Sequence, residues 1–326
     1  LIMKFYQLPI FLLFFTSCAE NHKKSIGTSF FIGTYTKKTE SKGIYQCTLQ
    51  SDGTFGKTKL MAEIEDPSFL AKTKDNNYLL CTAERKEGRL ASFKIEEDTL
   101  LMLSKKPSGG PAPCYVNVNS KGTVLVSNYM GGNIGMLALN KNGELSDLQY
   151  VQQHEGSDIT ERQKGPHAHS VWFESNEKDV ISVDLGTNEL WFSAIDLTNN
   201  KLEFSAQQKL KMAPGAGPRH LTFHPTGKYI YVLNELNGTI SIVTKSQDKY
   251  EIVNSHSTLP NDFKELNKCA DIHISSDGRF LYASNRGHNS IVIFKVSDSR
   301  DSMERIGFES VRGDWPRNFT LSPNED

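Results

Sequence analysis

Imidazole, carboxylate and guanidinium side chains recur along this chain at repeating distances, and together they are the groups that acid–base chemistry on an anionic substrate requires. His167 and His169 stand near the middle, followed by Arg219, Glu235, Asp271 with His273, Arg286 and Arg317, and preceded by Glu84 and Asn128. A histidine or glutamate can take a proton from water and return one to a leaving group. Arginine presents a planar fork that pairs bidentately with a carboxylate or phosphate and can face a developing oxyanion. His167 and His169 are two residues apart, as are Asp271 and His273, so on a strand each pair shares a face. The two histidines could ligate a metal, but spacing shows no third ligand, and neither a metal site nor a cofactor is expected.

Each of these residues also has a purely structural reading. Arg219 and Arg286 could tie neighbouring sheets together through ion pairs, and His169 could be a satisfied structural histidine. Glu84, Asp271 and His273 could cap turns or hydrogen-bond within a strand. His220 alternates away from Arg219 and reads as packing, while His224, Trp172 and Trp191 read as contacts between strands and sheets.

The elements that would position these groups come from an internal repeat. Arg219 to Pro225 (RHLTFHP), a turn at Thr226-Gly227-Lys228, Tyr229 to Leu233 and Asn234-Glu235 align with Ala270 to Ser276 (ADIHISS), Asp277-Gly278-Arg279, Phe280 to Ser284 and Asn285-Arg286, at an offset of 51 throughout. Thr239 to Val243 and Ser290 to Phe294 continue each copy with a third strand. Weaker copies place Ser68 to Lys74 with Tyr78 to Glu84, Cys114 to Asn119 with Thr123 to Asn128, and Ala168 to Phe173 with Val180 to Asp184 in the same two slots. A period of roughly 50 residues without helical periodicity predicts an all-β chain folded as a β-propeller of four-stranded blades, rather than a sandwich or β-helix.

Antiparallel pairing then turns sequence distance into proximity. The start of each first strand and the end of each second strand meet at one rim, which gathers His169, Arg219, Asp271 and Arg317 with Glu84, Asn128, Glu235 and Arg286 around one mouth. At the ends of the series, Phe30 to Tyr35 reads as a second-slot strand without a first, and Asn318 to Ser322 as a first-slot strand without a second. Six slots of each kind fit a ring closed by both ends of the chain, or a chain that continues past residue 326.

The 37 lysines and arginines nearly balance the 38 acidic residues, and no basic stripe is present, which argues against a nucleic-acid partner. Met3, Lys4, the apolar run Leu8 to Phe15 and Phe15-Thr16-Ser17-Cys18 resemble a bacterial lipoprotein signal. Residues 1–24 are therefore expected to be a signal peptide and lipid-anchor segment, with Met3 as the initiator and Cys18 as the lipidated residue. The run is too short to span a bilayer. The protein is then an exported, periplasmic or outer-membrane lipoprotein, touching the membrane only through Cys18, with residues 25–326 as a single propeller domain. Cys47, Cys81, Cys114 and Cys269 form no C-x-x-C pair, and their spacing identifies no disulfide. A monomer is expected.

Gly215-Ala216-Gly217-Pro218-Arg219-His220, Asn234-Glu235-Leu236, Ala270-Asp271-Ile272-His273 with Asp277-Gly278-Arg279, and Pro316-Arg317-Asn318-Phe319 resemble the signatures of the lactonase family with a seven-bladed β-propeller. That family includes the propeller-type 6-phosphogluconolactonase and fungal muconate lactonising enzyme. The resemblance implies seven blades, so that the domain is incomplete at its C-terminus by about one blade. It implies a carboxylic ester hydrolase acting on a small-molecule lactone such as 6-phosphogluconolactone. His169, Glu235, Arg219 and Arg286 match the family's pocket and are the expected catalytic set. His167, Asp271, His273, Arg317, Asn128 and Glu84 are the expected substrate-binding set. His169 or Glu235 would activate water, and the assignment between them stays open. The alternatives are a non-catalytic propeller that binds an anionic sugar or a partner protein, and a muconate cycloisomerase-like enzyme that runs similar chemistry towards lactone formation.

Overall fold

The computed structural model describes residues 27–246, 249–323 and 325. The expected signal and anchor segment, residues 1–24, lies outside them. Among the described residues the chain forms six antiparallel sheets that follow one another along the sequence, five of four strands and one, the first, of three. The expected propeller is what forms. Its second strands, such as Tyr229–Asn234 and Tyr78–Ala83, are apolar runs buried on both faces, because each sheet is covered by a neighbour on either side.

The core is accordingly divided into layers between blades. Tyr231, Leu233 and Ile242 of the fifth sheet pack on Ile272, Leu281 and Phe294 of the sixth. Ile181, Val183 and Phe192 of the fourth sheet meet Leu221, Ile230 and Val232 of the fifth. Equivalent layers join the first sheet to the second, the second to the third and the third to the fourth. Burying each such aliphatic or aromatic side chain contributes about 1.5–3 kcal/mol, so these layers hold the wheel together without a disulfide. All four described cysteines are free and buried, and burial pushes the thiols of Cys81 and Cys269 up, to about 12 and about 11.

The first strands line the axis. Those of the third to sixth sheets are Pro113–Val118, Ala168–Phe173, Pro218–Phe223 and Lys268–Ile274. All four share one irregularity: the ladder to the second strand skips Cys114, His169, Arg219, and the pair Ala270 and Asp271. A β-bulge at this point adds a residue that the partner strand does not match and re-aims its side chain.

One expected strand is absent. Asn318 to Ser322 forms no ladder, and Thr28–Ile32 pairs only with its own neighbour Gly43–Leu49, so the two do not close a blade together. The segment nevertheless runs beside the inner strand of the sixth sheet, with Phe319 against His273 and Glu325 accepting hydrogen bonds from Ser276. A strand needs a backbone edge to pair with, and the segment meets the sixth sheet through side-chain contacts rather than through a backbone ladder.

Candidate active site

Glu235 follows the second strand of the fifth sheet, and its main chain joins two blades. Its N–H donates to the Gly217 carbonyl at 2.7 Å, and its carbonyl accepts from Cys269 of the sixth sheet at 3.2 Å. Gly217 is required there: its φ is +65°, and a Cβ would stand 2.5 Å from Leu236. The Glu235 carboxylate is buried amid three guanidiniums. Arg286 Nη2 lies 2.9 Å from Oε2, Arg219 Nε lies 3.1 Å from the same oxygen, and Arg162 Nη2 lies 3.8 Å from Oε1. Burial by itself would raise the Glu235 carboxyl, but Arg219, Arg286 and Arg162 together outweigh it and hold the group below the usual carboxylate range.

Arg219 and Arg286 are also anchored to main chain. Arg219 Nη1 donates to the Ala270 carbonyl, while Arg286 donates from Nε to Lys268 O at 3.1 Å and from Nη2 to Cys269 O at 2.9 Å. These bonds use part of each fork. Nη2 of Arg219 and Nη1 of Arg286 have no hydrogen-bond partner among the described residues, leaving donors for an anion.

His169 stands at the bulge of the fourth sheet. Its ring meets Tyr129 edge-on with centroids 5.3 Å apart and His220 with centroids 5.5 Å apart, and Nδ1 lies 3.7 Å from the Cys114 sulfur. Burial, then the neighbouring Arg219 charge, holds its pKa well below the ordinary imidazole value. It is therefore a neutral base at neutral pH. His169 and Glu235 share one mouth, linked through Tyr129, whose hydroxyl accepts from Arg162 Nη2 at 2.6 Å.

The other expected binding residues fall into two groups. Glu84 and Arg317 reach the mouth: Tyr35 donates to Glu84 Oε2 at 2.7 Å, Arg317 Nη2 lies 3.8 Å from the same oxygen, and the Arg317 guanidinium covers the Tyr35 ring. His167 reaches it too, stacked on Tyr129 with centroids 4.5 Å apart and with Nδ1 donating to the Tyr129 carbonyl. His169 meets the same Tyr129 ring edge-on, so the two histidines flank one tyrosine.

Asn128 and Asp271 require correction as substrate-binding residues. Asn128 is fully buried, and its amide donates to Ser108 O at 3.0 Å and Asn133 Oδ1 at 2.8 Å, tying down a turn. The Asp271 carboxylate is buried and taken up by protein donors: His220 Nδ1 at 2.8 Å, His273 Nε2 at 3.2 Å, the Asn318 amide and the Phe319 N–H at 3.3 Å. His273 itself remains about one-third exposed.

His220 is packed among aromatic rings as expected, but it is not directed away from Arg219. Across the bulge the two consecutive residues meet, with Arg219 Nη1 3.3 Å from His220 Nε2. Arg162 and Tyr129 are the site residues that the repeat pattern did not single out. Arg162 lies on a 3-10 turn, Glu161–Gln163, within the connection 154–167, the longest between blades among the described residues. That length was the available signal for Arg162; for Tyr129 it was the place after Asn128, equivalent to that of Glu235 after Asn234 and Arg286 after Asn285.

The chain matches the family described as Lactonase, 7-bladed beta-propeller, over residues 29–326. It is 33% identical over 303 residues to 6-phosphogluconolactonase of Bacillus subtilis, covering 90% of this chain and 85% of that protein. It is 31% identical over 313 residues to 6-phosphogluconolactonase of Formosa agariphila, covering 90% and 86%. Among solved structures, the periplasmic gluconolactonase of Pseudomonas aeruginosa superposes with a TM-score of 0.87 at 25% identity, covering 92% of this chain and 87% of that one. A protein from Lactobacillus plantarum superposes with a TM-score of 0.86 at 31% identity, covering 92% and 87%.

Proposed function

The chain belongs to the lactonase family of seven-bladed β-propellers, and from that premise we propose that it is a carboxylic ester hydrolase that opens a sugar lactone, with 6-phosphogluconolactone the first candidate substrate. The single observation that carries this reading is the meeting at one mouth of a neutral, buried His169 with two anchored arginines, Arg219 and Arg286, that retain unpaired N–H donors.

Lactone hydrolysis needs an activated water, stabilisation of the carbonyl oxygen as it becomes an oxyanion, and a proton for the departing hydroxyl. His169 is the base. Glu235 is less suited to that task, because Arg219 and Arg286 already engage its Oε2, at 3.1 and 2.9 Å. Its part is to hold Arg219 and Arg286 so that their remaining donors face the oxyanion. The imidazolium of His169 then returns its proton to the leaving oxygen as the ring opens. Arg162, whose side chain is partly exposed, meets the substrate's anionic or hydroxyl groups on entry.

The choice among sugar lactones depends on compartment. We propose export, with Cys18 as the lipid anchor, from the sequence of residues 1–24, and an exported enzyme meets unphosphorylated aldonolactones more readily than cytoplasmic phosphosugars. The Pseudomonas relative, named as a periplasmic gluconolactonase, supports keeping both substrates in view. The test is to follow acid release from gluconolactone and 6-phosphogluconolactone above the spontaneous rate with the full-length protein. Release at the spontaneous rate across the sugar-lactone panel overturns the proposal.

A further inference from the structure

We propose that His220, backed by Asp271, is a positioning residue that holds Arg219 in its working orientation, and that Asp271 at the same time secures the segment carrying Arg317. The inference rests on the lactonase reading for its kinetic part only.

The geometry forms a continuous buried line. Asp271 Oδ1 accepts from His220 Nδ1 at 2.8 Å. With that nitrogen carrying the proton, Nε2 of a neutral ring is left as an acceptor, and Arg219 Nη1 faces it at 3.3 Å. The same Nη1 donates to Ala270 O, which precedes Asp271 in the bulge, and Arg219 Nε faces Glu235 at 3.1 Å. Nη1 is thereby taken up by two neighbours, Nε lies in ion-pair contact with Glu235, and Nη2 is the end left over. His220 is boxed by aromatic rings, edge-on to Phe69, Tyr115 and His169 with centroids 5.3 to 6.0 Å apart, so the imidazole has little room to turn.

The charge state agrees with this arrangement. Burial, then the Arg219 charge, keeps His220 down at about 4, while the hydrogen bonds from His220 and His273 outweigh burial and keep Asp271 ionised. A protonated His220 would present a donor to Arg219 and push it away. The other carboxylate oxygen of Asp271 takes the Asn318 amide and the Phe319 N–H, the two residues after Arg317. One buried carboxylate thus sets two arginines that come from different segments.

The proposal is tested in the full-length protein with His220→Phe, His220→Gln and Asp271→Asn. Phenylalanine keeps the ring and loses both hydrogen bonds; glutamine keeps an acceptor for Arg219 and a donor for Asp271. Displacing an oxyanion donor by an ångström costs about 10²-fold, so His220→Phe is expected to lower kcat by about that factor with KM nearly unchanged, and His220→Gln to recover about tenfold of it. Equal kcat in the Phe variant and the parent, or equal losses in Phe and Gln, overturns the proposal. Nitrogen-15 NMR of the parent protein gives a second, activity-independent reading. His220 is expected as the neutral Nδ1–H tautomer at pH 7, shifting in Asp271→Asn, and an Nε2–H tautomer or an imidazolium overturns the proposal even if no variant folds. A parent protein that opens no sugar lactone strikes the proposed function instead, and the tautomer then decides this inference alone.

Discussion

Oε2 of Glu235 lies 2.9 Å from Nη2 of Arg286, a residue in the equivalent place one repeat further along the chain. The ends of two neighbouring second strands thus meet as a buried ion pair, and Arg219 completes it from the inner strand of the fifth sheet. The site is built at the seam between blades. Its stability and its chemistry are therefore coupled.

Replacing His169 removes the base. His169→Ala is expected to lower kcat for lactone hydrolysis by about 10² to 10⁴, the usual contribution of a general base. The pH profile gives an independent check. The base works when neutral, and burial together with Arg219 disfavours its protonation, so kcat/KM should stay level as pH falls through the ordinary imidazole value of about 6.5 and decline only in more acid solution. An acid limb centred at or above that value would remove His169 from the role.

Glu235→Gln keeps the shape of the side chain but leaves two buried guanidiniums without a counter-charge. Breaking a buried pair in this way costs about 3–5 kcal/mol, which chemical denaturation would register. The pH dependence has a definite sign. The folded Glu235 carboxyl is held below its unfolded value, so its stabilisation is present above the ordinary carboxylate range and is lost as pH falls through the depressed folded value. The parent's stability should decline in acid more steeply than the variant's. A variant as stable as the parent at neutral pH contradicts this account.

Arg162 differs from the other arginines around Glu235 because 44% of its side chain is exposed, against 2% for Arg219 and 5% for Arg286. Arg162→Ala should leave the fold intact, raise KM by about tenfold, equivalent to about 1.4 kcal/mol of binding, and change kcat little. A loss confined to kcat would instead place Arg162 at the reacting atoms.

The export reading predicts that a clickable fatty acid fed to cells labels the protein, and that Cys18→Ala abolishes the label. An unlabelled, membrane-free parent protein would remove the anchor.

Much of the architecture was legible because a propeller repeats its strands at a nearly constant interval. The copies beginning at Ala168, Arg219 and Ala270 mark both the inner strands and the rim where they open, which gathered eight polar residues at one mouth, and the family resemblance picked out His169, Arg219, Glu235 and Arg286 from among them. Strand periodicity also supplied the wrong expectation for His220. Alternation assumes an uninterrupted ladder, and the unmatched residue at each inner-strand bulge brings Arg219 and His220 together instead of setting them on opposite faces.

The sequence by itself determined which residue types recur at which slot, and hence the ring and the mouth, because hydrophobic pattern and turn chemistry are local properties that each copy carries. Only the tertiary structure decided which polar groups are spent on one another. Asn128 and Asp271 proved to be held by protein partners, while Arg162 joined the site from outside the repeat and Tyr129 from the slot that Glu235 and Arg286 fill in their own copies. Hydrogen-bond partners across blades depend on side-chain direction, bulges and the path of a non-repeating connection, and none of these is set by spacing along the chain.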